Sequence, residues 1–201
     1  MKVRTSISAV ILALLLFSCM SEKEKRIREQ LRSFMSETVS VPDNLQGIAP
    51  SGTLLYKDTS SLPKLIFYYD SSACNECEIA HLGNLEWFYV RSAEERTFDV
   101  LTIFSPSPED YAGVVELLEI QDFDYPVYVD FDGRFRRTNA FIPEDVRFHS
   151  FLTDGSGRIR HVGNPSVSES LEKSFDRALD GIVRESSART ITVINLKNQR
   201  T

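Results

Sequence analysis

The segment Lys64–His81 constrains the fold of this chain more than any other stretch. It opens with five consecutive apolar or aromatic residues, 65–69, which have the length and composition of a strand buried on both faces of a sheet. A turn of small and polar residues follows. Cys74 and Cys77 then stand three positions apart at the start of a helical pattern. This arrangement indicates a redox-active Cys-x-x-Cys pair held at the end of a strand.

The rest of the chain alternates strand and helix patterns. The pair opens a helix predicted over 74–91, and further helices are predicted at 107–120, 133–140 and 166–180. Strands are predicted at 53–56, at the edge of the sheet, and at 98–104 and 125–130, with a hairpin within 148–162. Such alternation with a terminal hairpin predicts an α/β domain whose central mixed sheet is covered by helices on both faces.

The N-terminus has the pattern of an export signal. A positively charged start precedes an apolar run at 7–17, and Ser18-Cys19 follows directly. The pattern resembles a bacterial lipoprotein signal, so we expect residues 1–18 to be removed and Cys19 to be lipidated. The alternatives are an ordinary secretory signal or a short membrane anchor with an incidental cysteine.

Domain boundaries follow from these segments. Residues 19–42 are predicted to be a lipid anchor and a spacer, with a helix at 21–36 whose charged outer face is solvated. The folded domain is predicted at 43–183. A polar tail is predicted at 184–201, with the preceding helix stopping at Gly181 and a strand candidate at Thr190–Leu196 inside the tail.

Composition excludes several classes of protein. The formal net charge of -6 argues against a nucleic-acid partner, because phosphate binding needs a basic surface. Hydrophobic residues make up 42% of the chain and charged residues 26%, which is enough to bury one sizeable core. Beyond Cys19 the chain has only the Cys74–Cys77 pair, so it is not a disulfide-stapled scaffold.

The order of elements and two motifs resemble the thioredoxin-like superfamily, in particular its TlpA and peroxiredoxin-like branch. Tyr125–Gly133 is similar to the "F-P-V-x-x-D-x-x-G" segment of that branch, and Phe151–Gly155 to its "F-L-I-D-x-x-G" hairpin. The resemblance covers about residues 60–182, and a lipid-anchored form of this fold is similar to families of Bacteroides-type bacteria. It implies a three-layer α/β/α sandwich with a helix–strand insertion in mid-domain, at 107–129.

Three positions depart from this family pattern. Ala73 replaces the usual aromatic residue before the first cysteine, and Tyr68 stands where thioredoxins often have a buried acid. Phe148 occupies the place of the cis-proline that faces the cysteine pair in the family.

The position of each cysteine predicts its role. Cys74 lies at the exposed helix start, where unpaired N–H groups favour a thiolate, so it is the expected nucleophile. Cys77, expected to be partly buried one turn further, would resolve the mixed disulfide. Glu76 and Glu78 oppose ionisation of a neighbouring thiol, which predicts a reductase- or sensor-like pair rather than a strong oxidant.

Two other functions remain open. Cys74, Cys77 and His81 have a C-x-x-C-x-x-x-H spacing, and His149 follows in a strand expected to face the pair, so a copper- or zinc-binding chaperone is one alternative. The other is a non-catalytic binding module that keeps the fold without turnover, which the Phe148 substitution favours.

The favoured prediction is an oxidoreductase without a cofactor. Its expected partners are protein thiol or disulfide substrates and a membrane electron donor, neither of them identified. The expected location is the bacterial cell envelope, with the lipid anchor in a membrane, the outer membrane by preference, and the domain periplasmic or surface-exposed.

Overall fold

The computed structural model describes residues 22–43 and 45–198. Within them seven strands form one mixed sheet with the spatial order β2-β1-β5-β4-β3-β6-β7. In chain order the strands are β1 (Gln46–Ala49), β2 (Gly52–Leu55), β3 (Lys64–Asp70), β4 (Asp99–Ser105), β5 (Val127–Val129), β6 (Ser150–Thr153) and β7 (Ile159–Val162). The central strand β3 pairs in parallel with β4 and antiparallel with β6.

Helices cover both faces of this sheet. They are α1 (22–34), α2 (Asn75–Ala80), α3 (Glu86–Glu95), α4 (Tyr111–Ile120), α5 (Arg134–Thr138) and α6 (Glu169–Asn198), with 3₁₀ turns at Leu82–Leu85 and Val146–Phe148. One buried cluster joins the sheet to α2, α3, α4 and α6, and a second joins its other face to α1 and α5. The predicted three-layer α/β/α sandwich with a central mixed sheet is confirmed, and α4 and β5 occupy the segment where the mid-domain helix and strand were predicted.

Strand β3 is buried on both faces, as its composition predicted. Leu65, Ile66 and Phe67 are 0% exposed and Tyr68 is 1% exposed. Because successive side chains of a strand point to opposite faces, Leu65 and Phe67 belong to the first cluster and Ile66 and Tyr68 to the second. The strand therefore holds the two layers of helices on one sheet.

The single helix predicted over 74–91 is wrong, because the chain breaks after α2. The ring Nδ1 of His81 lies 2.7 Å from the carbonyl oxygen of Cys77, the acceptor that the backbone N–H of His81 would use in a continuous α-helix. That N–H donates instead to the Glu78 oxygen at 3.1 Å. The apolar residues that recur at helical spacing through this segment are nevertheless buried: Ile79, Leu82, Leu85, Phe88 and Tyr89.

The C-terminal predictions are also wrong. Helix α6 passes through Gly181 and includes the strand candidate at 190–196. A glycine inside a helix costs about 1 kcal/mol relative to alanine, and burial of a large apolar side chain stabilises by about 1.5–3 kcal/mol. Phe175, Leu179 and Ile182, on both sides of the glycine, are at most 3% exposed, so their packing outweighs the penalty.

Part of the predicted spacer is integrated into the domain. Phe34 at the end of α1 is 2% exposed and packs edge-on against Phe148 and Phe151. The backbone N–H of Val39 donates to the Gly157 oxygen at 2.8 Å. Segment 31–40 therefore belongs to the fold, whereas residues 22–26 are exposed as predicted.

The predicted signal peptide and Cys19 lie outside the described residues. Among the helices of residues 22–43 and 45–198, none combines the length and the apolar composition needed to cross a membrane.

His161 on β7 makes folding stability depend on pH. It is 7% exposed, and burial lowers its pKa from the ordinary value of 6.5. At mildly acidic pH the His161 ring therefore binds a proton more readily in the unfolded chain than in the folded chain. The stabilisation is complete above pH 6.5 and is lost as the pH falls toward the lowered pKa of the folded state.

We expect the free energy of unfolding, measured by urea denaturation, to decrease between pH 7.5 and pH 5.5 by up to about 1.4 kcal/mol, because this interval extends about one unit below the unfolded pKa of 6.5. The variant His161→Phe retains a ring but cannot titrate, and its decrease over this interval should be smaller. Equal decreases in both proteins would contradict the assignment.

Candidate active site

Cys74 and Cys77 form a disulfide at the N-terminus of α2, with their Cα atoms 5.3 Å apart. Cys74 is the N-cap residue and has an extended backbone conformation, while Cys77 lies in the first turn. The first backbone N–H groups of a helix have no partner within the helix. In the reduced protein a Cys74 thiolate can accept hydrogen bonds from them.

The expected partial burial of Cys77 is wrong, since both cysteines are exposed. Ile79 is the buried residue of α2 and orients this short helix on the sheet. Cys77 precedes Ile79 by two positions, which corresponds to about 200° around an α-helix. It therefore lies on the solvent side of α2.

A buried carboxylate holds the turn before Cys74. Asp70, the last residue of β3, is 5% exposed, and its Oδ1 accepts hydrogen bonds from the backbone N–H of Ser72 at 2.9 Å and from the Ser72 hydroxyl at 2.5 Å. Its backbone oxygen accepts from the N–H of Ala73 at 3.0 Å. The other carboxylate oxygen pairs with Arg136 of α5 at 2.9 Å.

These contacts determine the ionisation of Asp70. Burial alone would raise its pKa, but the hydrogen bonds from Ser72 and the charges of His149 and Arg136 outweigh burial and keep the pKa below its usual value. Asp70 is therefore a carboxylate at neutral pH, and it joins the cysteine turn to both β3 and α5.

Two further carboxylates flank the pair in the first turn of α2. Glu76 is exposed and Glu78 is half-buried. Both lie within four residues of each cysteine, and their negative charges oppose thiolate formation. The helix N–H groups thus favour a Cys74 thiolate, whereas the neighbouring carboxylates disfavour it.

An apolar groove of about 570 Å³ adjoins the cysteine turn. Ala73 and Glu78 form its end next to the disulfide, and α1 supplies one wall. The apolar side chains that line it are Ile27, Leu31, Tyr69, Val146, Phe148, Val162, Val167 and Leu171. Val146 and Val167 at its rim are 58% and 71% exposed, so the groove is open to solvent.

Phe148, predicted to stand in place of the family's cis-proline, is 3% exposed and ends the 3₁₀ turn before β6. Its ring packs edge-on against Phe34, with ring centroids 5.9 Å apart. Residues 22–43 and 45–198 contain no cis peptide bond.

The two histidines considered as metal ligands, His81 and His149, each have a ring nitrogen at hydrogen-bond distance from a backbone carbonyl oxygen. The His149 side chain is 4% exposed, and its Nε2 lies 2.8 Å from the Pro143 oxygen, with its ring against Tyr68. His81 contacts the Cys77 carbonyl rather than a sulfur atom. In the described part of the chain, no three His, Cys, Asp or Glu residues are placed to hold a metal ion.

Sequence reasoning missed Asp70, Arg136 and the α1 wall of the groove. The pattern Asp70-Ser71-Ser72 is an Asx-turn signal and could have identified the carboxylate that holds the turn. Its partner Arg136 is 66 positions away, and only the fold brings α5 to the end of β3.

Solved structures similar to this chain include thioredoxin-like proteins and a peroxiredoxin. A thiol:disulfide interchange protein of the thioredoxin family from Chlorobium tepidum TLS is 17% identical, with 73% of this chain and 97% of that one covered and a TM-score of 0.46. An uncharacterized thioredoxin-like protein from Porphyromonas gingivalis is 17% identical, with coverages of 74% and 95% and a TM-score of 0.45.

The pneumococcal exposed lipoprotein thioredoxin from Streptococcus pneumoniae is 16% identical, with coverages of 70% and 99% and a TM-score of 0.46. No family model and no curated protein matches the chain.

The role of Asp70 gives a prediction about stability. Asp70→Ala leaves the Ser72 donors and Arg136 without their acceptor, so we expect the free energy of unfolding to fall by about 2–4 kcal/mol. Asp132→Ala, which removes a half-exposed carboxylate paired with Arg134, is the matched control and should cost less than about 1 kcal/mol. Urea denaturation of the oxidised proteins measures both changes in the free energy of unfolding. Equal decreases in the two variants would contradict the role of Asp70 in holding the cysteine turn.

Proposed function

We propose that this chain is an extracytoplasmic, lipid-anchored thiol–disulfide oxidoreductase that works through Cys74 and Cys77. The observation that carries the proposal is an exposed disulfide at a helix N-terminus, next to an open apolar groove. Only two residues separate the cysteines, and so small a ring contributes little to stability. The bond is therefore better suited to exchange than to stapling the fold.

In the reducing direction the Cys74 thiolate attacks one sulfur of a substrate disulfide and displaces the other as a thiolate. Cys77, deprotonated, then attacks the Cys74 sulfur in the mixed disulfide. The substrate leaves with two electrons and two protons more than before, and the Cys74–Cys77 disulfide is formed. A dithiol donor, expected at the membrane, has to reduce that disulfide again for turnover.

The acids beside the pair support a reductase- or sensor-like potential. Glu76 and Glu78 make the thiolate less stable, which disfavours the reduced form of the pair. A less stable reduced form gives a more negative potential, so the pair is proposed to lie well below the strongly oxidising value of about -120 mV.

The export pattern at residues 1–19 supports the location part of the proposal. A diacylglycerol and an amide-linked chain on Cys19 would supply the two hydrophobic signals that stable anchoring requires. The domain would then work in the cell envelope, where thiols and disulfides interchange.

A non-catalytic binding module is the second candidate, and one observation favours it. The buried ring of Phe148 lines the groove, and the sequence resemblance predicts that Phe148 stands in place of a cis-proline. Such a module would keep the disulfide and the groove, but it would not reduce substrates.

Activity separates these two candidates. We expect the purified protein to catalyse reduction of insulin disulfides by dithiothreitol, and Cys74→Ser to lose this activity because the nucleophile is gone. Ser72→Ala, which keeps both cysteines, is the control and should retain measurable turnover. Equal rates with and without the wild-type protein would leave the binding module as the better assignment.

The anchor gives a separate prediction. Full-length protein expressed in a bacterium that processes lipoproteins should fractionate with membranes, and its mass should show a lipid-modified N-terminal Cys19. Cys19→Ser should abolish the modification and release the protein from the membrane fraction. An unmodified wild-type N-terminus would contradict the anchor without affecting the redox proposal.

A further inference from the structure

The apolar groove beside the cysteine turn has an uneven distribution of charge. In the part of the chain that the structure describes, the carboxylate and guanidinium groups that line it belong to Glu78, next to the cysteines, and Arg147, before β6. Asp145 neutralises Arg147, whose Nε lies 2.9 and 3.1 Å from the two carboxylate oxygens. Arg147 is therefore already paired within its own turn.

Glu78 has no such partner. It is half-buried, and among residues 22–43 and 45–198 its carboxylate forms no ion pair. Tyr69 also lines the groove, and the negative charge of Glu78 adds to burial in raising the pKa of the Tyr69 hydroxyl. The His149 ring is held by the Pro143 oxygen. A carboxylate that is partly removed from water and unpaired attracts a cation that enters the groove.

The rest of the groove suits apolar side chains. Its walls include Ile27 and Leu31 of α1 and Leu171 of α6, and its volume of about 570 Å³ lies within the range of about 300–1,000 Å³ usual for ligand sites. Val146 and Val167 at its rim are 58% and 71% exposed, so a partner that covers them removes apolar surface from water. The groove thus presents a negative charge near the cysteines and apolar surface beyond it.

We propose that the groove binds a polypeptide segment of the substrate that has a basic residue next to its disulfide cysteine and apolar residues beyond it, and that Glu78 selects the basic side chain. This inference rests on the proposed redox function and names the substrate class of that site. The order of the segment follows from the groove, because Glu78 directly follows Cys77 in sequence and the apolar lining extends from there to α1 and Val167. Glu78 sets the substrate preference and takes no part in electron transfer.

Two peptide disulfides test this preference. Each consists of two identical peptides with an apolar stretch and a cysteine, separated by Lys in one substrate and by Glu in the other, and a fluorophore is quenched until the peptides part. In a single turnover the reduced protein forms the Cys74–Cys77 disulfide, and both peptides leave as thiols. The rise in fluorescence gives a rate constant for each substrate. We expect the Lys substrate to react faster with the wild-type protein.

Variants of the two acids assign the preference to Glu78. Glu78→Gln keeps the size of the side chain, and it should lower the ratio of the Lys to the Glu rate constant by about two- to fivefold. A change in thiol reactivity alters both rate constants alike and cancels in this ratio. Glu76→Gln is the matched control, because Glu76 is exposed and lies about 200° around α2 from Glu78, and it should change the ratio less. An unchanged ratio in Glu78→Gln, or equal decreases in the two variants, overturns the proposal.

Binding measures the preference without turnover. Peptides in which serine replaces the cysteine should bind the oxidised protein more tightly with Lys than with Glu, as measured by fluorescence anisotropy, and Glu78→Gln should bring the two dissociation constants closer together. Equal dissociation constants in the wild-type protein would overturn the proposal. Binding that weakens as the protein concentration rises would place a second copy of the chain in the groove and would overturn it as well.

The insulin assay keeps this result distinct from the proposed function. Insulin turnover with equal rate constants for the two peptide substrates would overturn the role of Glu78 and leave the oxidoreductase in place. Absence of turnover, with tighter binding of the Lys peptide, would remove the oxidoreductase function while supporting the charge preference of the groove.

Discussion

The burial of β3 on both faces is the constraint on which the rest of the structure depends. Leu65, Ile66, Phe67 and Tyr68 are almost completely inaccessible, and they alternate between the two layers of helices. A strand of this kind is stable only in the middle of a sheet with helices on both sides. The parallel pairing with β4 and the antiparallel pairing with β6 then set where the strand ends.

That end determines the position of the disulfide-bonded pair Cys74–Cys77. Asp70 closes β3 and binds Ser72 in the following turn, while Arg136 from the opposite helix layer neutralises its charge. The first residues of α2 follow at once, and Ile79 orients this short helix on the core. The disulfide is thereby exposed to solvent at the end of a strand that is buried on both faces.

The surroundings of the disulfide are built from parts far away in sequence. Ile27 and Leu31 of α1, Phe148 before β6 and Leu171 of α6 line one apolar groove that ends at Ala73 and Glu78. Phe34 fixes α1 to the core through its ring contacts. Helix α1, which begins three residues after the proposed lipidation site Cys19, is therefore also a wall of the groove beside the cysteine pair.

The sequence by itself determined the layered α/β architecture, because the apolar run of β3 and the helical spacing of Ile79, Leu82 and Leu85 report burial directly. It also located the disulfide pair and the acids beside it. Only the tertiary structure decided that α2 ends at Ala80, that α6 continues through Gly181, and that Arg136 reaches Asp70. The end of α2 depends on the contact of the His81 ring with the Cys77 carbonyl oxygen, and the continuation of α6 depends on packing around Gly181. The pairing of Arg136 with Asp70 depends on a contact between residues distant in sequence. The tertiary structure also decided that Cys77 is exposed. Sequence spacing places this cysteine on a helix, but the packing of Ile79 determines which face of that helix is open to solvent.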